Sequence, residues 1–181
     1  MGVIAAVIVI AVIGIVGTYN SLVSLQAGVE EKESAISTQL QRRSDLIPNL
    51  VSTVKGYAAH EEEVYTAIAD ARSKLAGAGT VEEMAQANGE LSSALSRLLV
   101  VVENYPELKA NENFTALQDE LAGTENRITV ARNDYNTAAK EYNVKIRRFP
   151  NNLFAGMLGF EKVDYFEADS NAQSVPEVSF E

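Results

Sequence analysis

The chain has no cysteine, no tryptophan and a single histidine among its 181 residues. Without cysteine there is no disulfide, no thiolate metal site and no lipidated cysteine anchor, and no redox clue to the compartment. One histidine excludes the metal centres that helical proteins commonly build. A di-iron bundle needs a Glu-x-x-His motif on each of two helices. A zinc peptidase helix needs two histidines four apart around a glutamate, whereas four residues after His60 stands Val64. The stretch "AAHEEEV" therefore reads as a solvated acidic turn. No G-x-S-x-G elbow and no G-x-x-x-x-G-K-[ST] phosphate loop occurs. The glycines of "GAG" at 77–79 follow a helical pattern, where a dinucleotide fingerprint would follow a strand. No catalytic residue, no cofactor and no metal ligand is expected, and the chain reads as a non-enzyme.

Charge is missing too, over one long stretch. Residues 1–29 carry none, and residues 3–17 are Val, Ile, Ala and Gly alone. With Thr18, Tyr19 and the following "NSLVSL", the run reaches the roughly 20 residues that a bilayer core demands. Tyr19 falls where a membrane-interface aromatic would sit. A cleaved signal would place a basic side chain before the run and small residues at its cleavage site. "MGVI" has no base, and Ile15 stands three residues before Thr18, so a retained transmembrane anchor over residues 1–19 is expected. The bases that follow, Lys32, Arg42 and Arg43, lean the bulk of a single-pass protein toward the cytoplasmic side. The net charge of −10 argues against nucleic acid as a partner, since phosphate binding needs a basic face. Residues 161–181, with six acids against Lys162, read as a solvated acidic tail.

What is present is helical periodicity. From Leu22 the apolar positions step by three and four in alternation, through Val29, Ile36, Leu40, Ile47, Leu50, Val54, Tyr57, Val64, Ile68 and Leu75. Gln26, Glu33, Arg43 and Glu61 fall on the same seam. The register passes through Pro48 without slipping. Proline inside a helix removes a backbone bond and presses on the carbonyl of Ser44, at about 3 kcal/mol. A break would bring loop residues and a phase change, so Pro48 is expected to kink one long helix over about 20–76 and to act as its hinge. "GAGT" ends that helix. Thr80 and Glu83 form a capping box for a second helix over 81–105, which Pro106 stops. A third over 113–149 carries Phe114, Leu117, Leu121, Ile128, Tyr135, Tyr142 and Ile146 on its seam. No segment alternates with period two, so the part after the anchor is expected to be all-α, an antiparallel helical bundle.

In this layout the second helix descends only to about Leu50, and the third climbs away again. The membrane-proximal stalk then has no partner from its own chain. An exposed apolar stripe marks an association surface, so Leu22, Leu25, Val29, Ile36, Leu40 and Arg43 are expected to drive a homo-oligomer. If the chain instead turns at Pro48, a self-contained four-helix bundle results and that motive disappears.

Several segments carry a family resemblance: "TYNSLVSL", "QLQRRSDLIPNLVSTVKGYAAHE", "NYPELKANENFTALQDELAGTENRITVARNDYN" and "YNVKIRRFPNNLFAGMLGF". They resemble the LemA family of bacterial membrane proteins, over about residues 19–166. Before "QLQRR" the family has a tryptophan-containing stretch where this chain has "EKESAIST". The resemblance implies one N-terminal inner-membrane helix followed by an antiparallel helical bundle, and carries no catalytic residues over.

Two polar features invite structural roles. Arg43 and Glu61 on the first seam, with Glu125, Arg127, Arg132 and Asp134 on the third helix, could form buried polar layers that fix register, unless their long side chains reach water past the core. The segment "KIRRFPNNLFAGMLGF" sets Leu153, Phe154, Met157, Leu158 and Phe160 beside Lys145, Arg147 and Arg148. It is expected to close the open end of the bundle as a short helix over 152–159; the competing reading lays it on an anionic membrane surface. Together these features point to a self-associating membrane scaffold or adaptor for protein clients that the sequence leaves unknown. The alternatives are a signalling or protease-regulating adaptor hinged at Pro48, and an enzyme of unrecognised type.

Overall fold

The computed structural model describes residues 2–167; residue 1 and residues 168–181, most of the acidic tail, lie outside the described residues. Helix α1 spans Gly2–Lys55, α2 Glu62–Gly77, α3 Val81–Val102, α4 Pro106–Lys109 and α5 Glu112–Arg147. Two 3-10 turns follow, at Asn151–Leu153 and Gly156–Leu158. Among the described residues there is no strand, and the fold is all-α. The chain forms two compact units, one of residues up to 35 with 131–165, the other chiefly of residues 36–130.

The second unit is an up-down-up-down bundle. Ser44 meets Arg72, and Ala58 meets Tyr65, so α2 runs antiparallel to α1. Ser37 meets Met84 and Arg43 meets Asn88, so α3 runs parallel to α1. Tyr57 meets Asn111 and Arg42 meets Glu120, so α5 runs antiparallel to it. The caps follow the local chemistry. Thr80 Oγ1 accepts from the Glu83 amide, and Glu83 Oε2 accepts from the Thr80 amide, the expected capping box. Asn111 Oδ1 accepts from the amides of Asn113 and Phe114 at the start of α5, and Pro106 opens α4 at a position where its missing N–H costs nothing.

One long helix over 20–76 is not what forms. Pro48 lies inside α1, exposed and without ending it, so the proline does not break the helix. The break comes at residues 56–61. The amides of Tyr57 and Ala58 both bond back to the Val54 carbonyl, and α2 starts at Glu62 with Glu62 and Glu63 in its first turn, where the helix dipole favours acid. The seam slips by one residue here. Ala58 and Tyr65 are buried while Tyr57 is exposed, and the Tyr65 hydroxyl donates to the Ala58 carbonyl at 2.5 Å, across the turn.

This extra reversal inverts the direction of every later helix. The second half of α5 consequently falls in the same compact unit as residues 2–35. In that first unit Leu22 and Val29 are buried and Leu25 is half-buried; in the second unit Ile36, Leu40 and Arg43 are buried. The expectation of a bare stalk is corrected: its seam is covered from within the chain, and the physical motive for self-association there is gone.

The first unit is closed by a clasp between α5 and the segment after it. Asn143 donates from Nδ2 to the Val163 carbonyl at 2.8 Å and accepts from the Val163 amide at 3.0 Å. The Tyr135 hydroxyl donates to the Asp164 carbonyl at 2.8 Å. Burial, followed by the nearby charges of Glu33 and Asp164, pushes the Tyr135 phenol up to about 12.

Two outcomes follow from this packing. Leu40→Ala should lower unfolding stability by roughly 2–5 kcal/mol, the range for a buried leucine, and leave the mass of the detergent-solubilised protein unchanged. A fall in mass without a loss of stability would instead make the seam an interface between copies. For Tyr135 the folded-state pKa lies above the unfolded one, so its contribution is complete below about pH 10 and is lost as pH rises toward 12. Chemical denaturation at several alkaline pH values should show a shallower decline in Tyr135→Phe than in the wild type.

Candidate functional site

Arg43 occupies a core position of α1, where an aliphatic side chain would continue the stripe of Leu40, Ile47 and Leu50. Its guanidinium is almost wholly buried, which is unfavourable for a charge without partners. Two partners come from different helices. Nη1 donates to Oδ1 of Asn88 on α3 at 2.6 Å, and lies 2.7 Å from Oε2 of Glu125 on α5. Asn88 is itself buried, while Glu125 reaches inward from a half-exposed position. Burial pulls the guanidinium below its ordinary pKa, and the Glu125 carboxylate opposes that shift. The Nε of Arg43 is buried with no hydrogen-bond partner. One polar layer thus ties α1, α3 and α5 together at a single height.

A second, more exposed network lies beside it. Arg42 donates to Glu120, and Arg127 stands 3.5 Å from the same carboxylate. The Arg42 hydrogen bond, with the charges of Arg42 and Arg127 behind it, holds the Glu120 carboxyl below its usual range. A groove of about 400 Å³ opens next to the buried layer, lined by Arg43 and Glu125 together with Leu50, Leu95, Leu99 and Leu121. Its walls are mainly apolar, with Ser92, Ser96 and Gln118 also lining it. No nucleophile paired with a base stands in it. Among the described residues no three His, Cys, Asp or Glu side chains approach closely enough to hold a metal ion, and His60 is exposed.

The residues singled out from sequence fall as follows. Arg43 and Glu125 meet; Arg127 joins the surface network; Glu61 and Asp134 take no part in the buried layer, and Asp134 is exposed. Asn88 was missed. The signal for it was its spacing, since Met84, Asn88, Leu91 and Leu95 step by four, three and four along the buried face of α3. Tyr19 is partly exposed at the end of the apolar run, with its ring edge-on to Phe160 at 5.6 Å between centroids. Pro48 faces outward within an unbroken helix.

A sequence profile of the LemA family matches residues 32–180. Among curated proteins, the chain is 29% identical over 199 aligned positions to magnetosome protein MamQ 2 of Paramagnetospirillum magneticum, covering 92% of this chain and 73% of that one. It is 28% identical to magnetosome protein MamQ of Magnetospirillum gryphiswaldense, covering 82% of this chain and 64% of that one. It is also 28% identical to protein LemA of Metamycoplasma hominis, covering 84% and 70% respectively.

The buried layer has a measurable signature. Glu125→Leu leaves the Arg43 charge buried with Asn88 alone and should cost about 2 kcal/mol, below the roughly 3–5 kcal/mol of a fully buried pair because Glu125 is half-exposed. Combining it with Arg43→Met should recover most of that loss in a double-mutant cycle. Strict additivity of the two substitutions would show that the pair is not coupled.

Proposed function

Because the chain belongs to the LemA family, we propose that it works as a membrane-anchored, non-catalytic helical scaffold or adaptor, placing its bundle at the surface of a bacterial inner membrane for protein clients to bind. One observation carries this proposal. The apolar face that α1 presents over its first five turns is outside the fold: Val3, Ile4, Ile10 and Ile13 are each about two-thirds exposed or more. From Val12, α1 contains an 18-residue stretch long and apolar enough to cross a bilayer, of which 11% is buried. Exposed valine and isoleucine at this density are stable only in an apolar surrounding, and a helix satisfies its own backbone inside lipid.

The scaffold role is supported by what the bundle is built from. Its interior is mostly apolar, and its buried Arg43 is held by Asn88 and Glu125, an arrangement that holds a shape and supports a structural role over a catalytic one. The names of the relatives are those of magnetosome proteins and of LemA, not of enzymes. The Lys and Arg residues that follow the anchor favour a cytoplasmic bundle. Self-association through the stalk is not part of the proposal, since its seam is taken up inside the chain.

Membrane fractionation with alkaline carbonate tests the anchor. Full-length protein should stay in the washed membrane, and Ile10→Lys/Ile13→Lys should move to the soluble fraction with its helix content largely kept. Release of the wild type by carbonate would overturn the proposal. A stoichiometric cofactor or metal found by native mass spectrometry would overturn its non-catalytic half.

A further inference from the structure

The segment after α5 was expected to close the open end of the bundle as a short helix over 152–159; it forms two 3-10 turns instead, and they belong to the first unit. Asn151, Ala155 and Phe160 turn inward and are buried. The other side points the opposite way: Phe149 is 80% exposed, Met157 85%, Leu153 56% and Leu158 37%. This is a built surface. Asn151 Nδ2 donates to the Lys145 carbonyl at 3.0 Å, the Ala155 amide to the Asn151 carbonyl at 2.8 Å, and the Phe160 amide to the Ala155 carbonyl at 2.9 Å. Gly159 takes the left-handed conformation, with φ 81°, that lets the chain turn back after Leu158. These bonds hold two 3-10 turns in a compact cap whose outer side is apolar.

Two observations identify what covers that side. The first is position. Phe160 packs its ring against Tyr19, the residue that ends the apolar run of α1, so the cap sits at the level where the anchor gives way to polar sequence. The second is charge. Arg147 and Arg148 are exposed and Lys145 half-exposed, and among the described residues none of the three has an ion-pair partner, although the chain as a whole carries −10. Apolar side chains flanked by unpaired bases, set at the end of a membrane span, match the chemistry of an anionic bilayer surface.

We propose that residues 147–160 are a second membrane-contact element, which sinks Phe149, Leu153, Met157 and Leu158 into the headgroup boundary of an anionic bilayer while Arg147 and Arg148 meet its phosphates. The proposal rests on the anchored reading of α1. With the anchor it gives the first unit two points of contact with lipid, and two points fix a rotation about the anchor axis that one helix alone leaves free.

The chain contains no tryptophan, so a single introduced indole reports its own surroundings. Full-length protein would be reconstituted into vesicles of phosphatidylglycerol and phosphatidylethanolamine, and separately into phosphatidylcholine, both containing brominated lipid. Three reporters are compared: Ile13→Trp in the anchor, Met157→Trp in the cap and Val100→Trp on the exposed side of α3. Ile13→Trp should be quenched by lipid in both membranes. Met157→Trp should be blue-shifted and quenched several-fold more strongly than Val100→Trp in the anionic vesicles. Adding Arg147→Gln/Arg148→Gln should return most of that quenching to the level seen in phosphatidylcholine. If Ile13→Trp is quenched while Met157→Trp behaves like Val100→Trp, the cap is not a membrane element and only this inference falls. If Ile13→Trp also escapes lipid, the anchor fails as well. Equal quenching of Met157→Trp in both lipids would overturn the role of the two arginines. Shielding of Met157→Trp that disappears on dilution of protein in lipid would assign the cap to a second copy of the chain and overturn the proposal.

Discussion

A helix that leaves a bilayer with an apolar stripe along one side must have that stripe covered once it enters water, and α1 carries such a stripe from Leu22 to Val54. The other elements are arranged by that requirement. Around residues 36–55, α2, α3 and the first half of α5 supply the cover, and around residues 22–35 the second half of α5 and the segment after it do so. Before Leu22, Val3, Ile4, Val9, Ile10, Val12, Ile13 and Val16 are exposed, and on the anchored reading lipid covers them. On that reading burial is divided along a single helix between two solvents, and the division falls close to Tyr19.

The helix periods, the capping box at Thr80 and Glu83, the stop before Pro106 and the all-α class were legible because each depends on side chains near in sequence. The reversal at residues 56–61 was not legible from the seam, since a slip of one residue there still leaves steps of three and four on either side. Local chemistry did mark it. Lys55 in a last turn, Gly56 after it and three glutamates from Glu61 onward are stop and start signals, outweighed by a register that seemed continuous. Pro48, expected to sit within a continuous helix, does so on an exposed face. One misplaced reversal was enough to send α5 the wrong way and to leave the stalk apparently bare. The burial of Arg43 was legible as a polar residue on an apolar seam; its partner Asn88 required knowing which helix came alongside, which is information held only in the tertiary fold.

The Arg43 layer does more for specificity than for stability. Buried ion pairs roughly offset their own desolvation, so an aliphatic trio at Arg43, Asn88 and Glu125 would hold the helices about as firmly. It would not hold them in one register. Sliding α3 by a turn sets Met84 or Leu91 in place of Asn88 against the guanidinium, at a cost that apolar packing does not impose. In a bundle whose seams are mostly Leu, Ile, Val and Ala, that layer is expected to distinguish one alignment from its neighbours.

Helix α1 also has no linker. The apolar run and the segment after it are one uninterrupted α-helix, which continues through Gly14 and Gly17 where the run ends. On the anchored reading, a bilayer that thins or thickens changes the tilt of the span it holds, and α1 carries that tilt without interruption into residues 22–35 of the first unit. The thickness of the surrounding membrane would then be a mechanical input to that unit.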